Sequence, residues 1–207
     1  MKKETMEKTR YNLPIFDMML DEDSVGLYTI SLVDDPAMEV SWYAFENEDD
    51  SKLKVELANI MDDKEHKVMV VICRADFPIL RRDDAGRFFY IKFTKETIKM
   101  MAQRFLKNGY QGLVNLMHDG NAYVEGVEME QIFVKDVESG INPLHFSQIE
   151  DGSLFAVYKI ENDAIWEDIM NGKYNSVSLE GLFKPVLVEE ESDEINTIDE
   201  FIDYINR

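Results

Sequence analysis

Apolar residues cluster first in short runs bounded by turn formers: Leu13 to Leu20, Leu27 to Val33 and Val40 to Phe45. Asp21 to Gly26 and Asp34-Asp35-Pro36 separate these runs, and Asp, Gly and Pro supply the backbone angles that turns require. Three β-strands are therefore expected. Glu46 to Lys52 is wholly polar and predicts a linker, with a new unit opening near Leu53. The expected organisation is an N-terminal β-rich segment and linker over 1–50, then a main domain over 51–188. An acidic linker and an amphipathic helix follow over 189–207.

In the main domain, Lys67 to Arg74 and Phe88 to Phe93 read as strands, the second reached through an Asp83–Gly86 turn. Thr94 then stands as an N-cap, with Glu96 in the first turn, where the helix dipole favours an anion. Ile98, Met101, Ala102, Phe105 and Leu106 recur at helical spacing, and Gly109 follows where a left-handed residue ends a helix. Strands are predicted again at Gly112 to His118, Tyr123 to Val134 and Leu154 to Ile160. Asn162 caps a second helix running to Met170, and Gly172 ends it. Tyr174 to Val188 predicts a last strand pair or bent strand. At the C-terminus Thr197 to Glu200 is a capping box, and Ile198, Phe201, Ile202 and Ile205 form a helical stripe that needs a surface to dock on. The class expected is α+β, a mainly antiparallel β-sheet or barrel with a few inserted helices.

The chain has 207 residues, 45% of them apolar, with 12 Phe and 9 Tyr to fill a core. No apolar run reaches the roughly 18 residues of a membrane span. The charged N-terminus lacks the apolar stretch of a secretory signal. The net charge of −20 repels phosphate backbones, so neither a membrane nor direct nucleic-acid binding is expected. The single cysteine, Cys73, rules out an intrachain disulfide, fits a reducing compartment, and reads as a buried strand thiol.

No glycine-rich phosphate loop and no Gly-x-Ser-x-Gly elbow occur, which argues against nucleotide-binding folds and α/β-hydrolases. One cysteine and three scattered histidines give no zinc spacing. Asp21 and Asp23 do not continue as a calcium loop, since Val25 and Leu32 stand at ligand positions. No metal and no other cofactor is expected.

His66 falls in a charged turn and reads as solvated, and His145 has no chemical company. His118 closes the apolar run Leu113 to Met117 and precedes Asp119-Gly120. A histidine at a strand end can titrate while a rigid element holds it, although a plain structural role remains open. Ser176 and Ser178 share one face of a strand, about 7 Å apart, before Gly181. Local sequence selects neither.

From about Ile15 to Phe183 the chain resembles the XkdF-like serine proteases encoded by phages. The segments that carry the likeness are Gly26 to Met38, Ala75 to Asp84, Phe93 to Ile98, Asn115-Leu116-Met117-His118-Asp119, Ala164-Ile165-Trp166-Glu167 and Ser176-Val177-Ser178-Leu179-Glu180-Gly181. The chain departs from the family pattern at Ser176-Val177, where glycine-phenylalanine is usual, and at Gly152-Ser153-Leu154, where glycine-threonine-tryptophan is usual.

The resemblance implies a prohead maturation protease related in fold to herpesvirus assemblins. Ser178 would be its nucleophile and His118 its general base, with Glu125 or a carboxylate after Ser178 fixing the imidazole. It further implies phage scaffold and major capsid proteins as substrates and partners, and a location inside the prohead in the host cytoplasm; a homo-oligomer is left open. The competing expectation is a catalytically inactive, protease-like scaffold or head-assembly protein.

Overall fold

The computed structural model describes residues 13–21, 24–34, 58–62, 64–83 and 85–188. The expected strand at 40–45, the linker at 46–52 and the C-terminal helix lie outside the described residues. The strands are β1 (Ile15–Met19), β2 (Gly26–Val33), β3 (Ala58–Asp62), β4 (Lys67–Cys73), β5 (Ile79–Arg82), β6 (Phe88–Lys92), β7 (Val114–Leu116), β8 (Asp119–Tyr123), β9 (Val127–Val134), β10 (Leu154–Ile160), β11 (Ser176–Leu182) and β12 (Lys184–Leu187). Two helices, α1 (Lys95–Lys107) and α2 (Asp163–Met170), interrupt them. Among the described residues no helix is long and apolar enough to cross a membrane.

The class is α+β. The strands form three four-stranded sheets, ordered β12-β1-β6-β5, β3-β4-β10-β9 and β11-β2-β7-β8. Pairing is antiparallel except between β1 and β6 and between β2 and β7. No barrel closes among the described residues, which corrects the barrel alternative. Closing the third sheet would require its edge strands β11 and β8 to pair, and they do not. Tyr174 to Val188, expected as one bent strand or a pair, divides at Phe183 into β11 and β12, which enter different sheets. The N-terminal strands are interior members of their sheets: β1 lies between β12 and β6, and β2 between β11 and β7.

β4 and β10 make the centre of the second sheet and are buried along most of their length, which explains their continuous apolar runs. Both caps form as the sequence predicts. Thr94 Oγ1 accepts from the Thr97 amide at 3.2 Å, and Asn162 Oδ1 accepts from the Ile165 amide at 3.2 Å. α1 buries Ile98, Met101, Ala102 and Phe105, but Leu106 is 45% exposed. At about 100° per residue Leu106 sits on the rim of that stripe. The loop before β10 is pinned from beneath by Lys135, which is 2% exposed. Its Nζ donates to the carbonyls of Phe146 (3.0 Å), Ser147 (3.1 Å) and Ile149 (2.7 Å).

Gly181 sets the course of β11. The register against β2 slips there, from Glu180 opposite Thr29 to Gly181 opposite Leu27. A Cβ on Gly181 would lie 2.3 Å from Phe183 Cε2 and 2.8 Å from the Gly26 carbonyl oxygen. The backbone contact cannot yield without moving β2, so Gly181→Ala is expected to destabilise the fold by about 1–3 kcal/mol, in the range of core overpacking. Urea denaturation of the variant checks this; an unchanged midpoint would show that the strands part freely at this point.

Candidate active site

The third sheet sets one polar row across three strands. Ser178 on β11 stands directly opposite Ser31 on β2, and Ser31 stands opposite Asn115 on β7. Partners in register project from the same face, with Cβ atoms about 5 Å apart. Two positions along β11, alternation returns Glu180 to that face. The intervening residues Val177, Ile30 and Leu32 point the other way and belong to the buried core. Burial of the apolar face therefore holds the polar face in register.

His118 reaches this row from a tight hairpin. Leu116 pairs with Asp119, leaving Met117 and His118 as a two-residue loop. Their φ values are 51° and 60°. Two positive φ angles in a two-residue hairpin are the signature of a type I′ turn, which normally takes Asn-Gly. Asp119-Gly120, a pair with good turn chemistry, instead opens β8, because the Leu116–Asp119 pairing closes the hairpin one step earlier. The resulting backbone strain lies beside the only histidine in the row.

Glu180 Oε1 is the hub. Ser31 Oγ donates to it at 2.5 Å and Asn115 Nδ2 at 2.9 Å, while His118 Nδ1 lies 3.1 Å away. Burial by itself would raise the Glu180 carboxyl, but hydrogen bonds from Ser31, Asn115 and His118 outweigh it and hold the group below its ordinary value. His118 Nδ1 is also 3.1 Å from Ser31 Oγ. The single Ser31 proton is directed at the carboxylate, which can only accept. Nδ1 must then carry hydrogen, since a lone pair there would face the carboxylate oxygen. In the neutral ring Nε2 is left as the basic nitrogen, on a side chain that is 46% exposed.

The structure brings His118 together with Glu180, the carboxylate after Ser178. It does not bring Glu125 to the ring. Glu125 is exposed at the turn before β9, and its carbonyl accepts from Asn162 Nδ2. Ser178 is 8% exposed, and its hydroxyl makes no hydrogen bond to His118. Ser176, on the same face, is 4% exposed with an unpartnered hydroxyl.

Ser31 and Asn115 join the cluster without having been singled out as site residues. The available signal was a polar residue at an inward position of an otherwise apolar strand. Cys73 is fully buried, and burial pushes its thiol up, away from nucleophilic use. His66 is half-buried rather than solvated, stacked on Trp166 at 4.5 Å. His145 is exposed on a short 3-10 turn. No group of three His, Cys, Asp or Glu side chains among the described residues could hold a metal ion.

Two outcomes follow from this geometry. Because the folded value of Glu180 is depressed, its stabilisation is complete above the ordinary carboxylate value of 4.5 and is lost as pH falls through the lower folded value. The stability difference between the wild type and Glu180→Gln should thus shrink in acid, as read from urea midpoints across pH; a constant difference would mean the carboxylate charge is not what the site holds. Met117, 48% exposed, gives up little packing when replaced. Met117→Asn should stabilise the hairpin by up to about 1 kcal/mol, since left-handed backbone costs roughly 1–2 kcal/mol for an ordinary residue. A lowered melting temperature would contradict the strained-turn reading.

No curated protein and no solved structure matches the chain. A family model described as putative phage serine protease XkdF matches residues 54–186. That span contains Asn115, His118, Ser178 and Glu180, and leaves Ser31 outside. It covers well over half of the chain, and the protein belongs to the putative phage serine protease XkdF family.

Proposed function

We propose that the protein is a serine endopeptidase of phage head assembly, of assemblin-like type, that cleaves scaffold or capsid segments inside the prohead in the host cytoplasm. The observation that carries the chemistry is His118 Nδ1 held 3.1 Å from Glu180 Oε1 on the sheet face that also bears Ser178. A carboxylate behind Nδ1 and a basic Nε2 in front are the arrangement that general-base catalysis at a serine hydroxyl requires.

In this reading Ser178 Oγ attacks the scissile carbonyl carbon while Nε2 takes its proton, and the carbonyl electron pair moves onto oxygen. Collapse of the adduct breaks the C–N bond, and Nε2–H returns the proton to the leaving amine. Water then repeats the sequence on the acyl-enzyme, releasing the acid and restoring Ser178. Glu180 supports the imidazolium formed in each half without accepting its proton. The acidic surface suits a protein that shares the prohead interior with DNA and must not adhere to it.

A second reading, an inactive protease-like scaffold, draws on the contact of His118 with Ser31 rather than Ser178. Co-expression with the capsid and scaffold proteins of the same phage separates the two. Ser178→Ala should reduce processing by about a thousandfold or more, whereas Ser176→Ala should cost far less. Processing that survives in Ser178→Ala would remove this serine from the mechanism. Absence of processing in the wild type, with normal head assembly, would favour the scaffold.

A further inference from the structure

We infer that Ser31 is a positioning residue, a hydroxyl clamp that fixes the Glu180 carboxylate and the His118 imidazole against each other. The inference rests on the proposed roles of His118 and Ser178 and assigns a role to a serine that lies outside the family match. Ser31 is the side chain that contacts both partners: Oγ donates to Glu180 Oε1 at 2.5 Å and lies 3.1 Å from His118 Nδ1. A hydroxyl has one proton and two lone pairs, so it can donate to a carboxylate and accept from an N–H at once. The ring and carboxylate also meet directly at 3.1 Å, and with Ser31 the contacts close into a triangle.

Ser31 is unfit to be the nucleophile, for three reasons. It is 0% exposed, against 8% for Ser178, so a polypeptide carbonyl has less access to it. Its proton is given to the carboxylate. The imidazole nitrogen beside it is the protonated one, and a protonated nitrogen cannot accept the hydroxyl proton in the attack step.

The position of Ser31 is itself fixed from both sides of β2, by Ser178 on β11 and Asn115 on β7. Asn115 adds a second donor to the carboxylate at 2.9 Å, yet it makes no hydrogen bond to the ring. Removing Ser31 therefore leaves the carboxylate charged and partly held but free to turn about its remaining contacts. The ring, on a two-residue hairpin, loses its second anchor. The groups that face Glu180 are Ser31, Asn115 and His118, and among them only His118 can carry a charge.

The test uses the full chain with a fluorophosphonate probe for activated serines and carboxyl 13C NMR titration of Glu180. Ser31→Ala is expected to move the Glu180 titration upward, toward the ordinary carboxylate value. It should also slow labelling of Ser178 by about tenfold to a hundredfold, less than the roughly hundred- to ten-thousandfold worth of the base itself. Ser31→Thr, which keeps the hydroxyl, should recover most of both. An unmoved Glu180 titration, or labelling at the wild-type rate, would overturn the clamp. Labelling that persists in Ser178→Ala and vanishes in Ser31→Ala would make Ser31 the nucleophile and overturn both assignments. If the wild type takes no label while Ser31→Ala still shifts Glu180, the clamp stands and the proposed protease activity falls.

Discussion

Strand β2 has to satisfy its backbone on both sides, and its two pairings decide where the polar row of the candidate site goes. A buried strand leaves no N–H or C=O to water, so β2 must find partners along its length. It takes β11 antiparallel on one edge and β7 parallel on the other. Three segments far apart in the chain thereby become neighbours at one level: residue 31, residue 115 and residue 178. Alternation makes this register sharp. A one-residue slip of β11 would turn Ser178 and Glu180 into the core and bring Val177 out of it. Burying a carboxylate against Ile30 and Leu32 would cost several kcal/mol, so the apolar face enforces the polar one.

Glu180 shows how the sheet meets the cost of the charge. Partial burial works against an ionised carboxylate, and three donors converge on its Oε1 to reverse that effect. Asn115 gives its amide to the carboxylate, and its own Oδ1 is left buried without a partner. An unsatisfied buried acceptor costs about 1–3 kcal/mol, a loss that makes sense only if the carboxylate needs that donor. The hairpin adds a second local expense, since neither Met117 nor His118 is a residue that favours positive φ as glycine does. Both costs fall on the same few residues, and burial elsewhere in the fold, as in the apolar pairing of β4 with β10, has to offset them.

Strands and helices were legible wherever periodicity and capping agreed. Thr94, Asn162, Gly109 and Gly172 marked the helix ends because a cap is a local interaction within a few residues. The sheet partners of β1 and β2 were not legible, because strand pairing depends on which edges remain open elsewhere. The hairpin shows a subtler limit. Asp119-Gly120 is ideal turn chemistry, but the register of β7 with β8 placed the bend at Met117-His118 instead. Glu180 was within reach of the sequence as the carboxylate after Ser178, and Glu125 drew attention because a strand leaving the His118 turn could have run back past the ring. Ser31 was visible only as a polar residue in an apolar strand, a weak signal until its partners across the sheet are known.

In the proposed mechanism, the spacing along β11 explains why nucleophile and orienting carboxylate share one strand. Residues two apart lie on one face about 7 Å from each other. An imidazole laid along that line, with a hydrogen bond of roughly 3 Å at either end, fits such a gap, whereas neighbouring residues on the strand would face opposite ways. The base must then come from a separate element that overhangs the strand, and a two-residue hairpin provides a short, stiff support for it. Ser31 lies opposite Ser178, on the neighbouring strand, and so borders the gap where Nδ1 meets the carboxylate. Its contact with the protonated nitrogen leaves Nε2 for the other end. In that mechanism the two serines would differ by which nitrogen they meet, Ser31 at Nδ1 and Ser178 at Nε2.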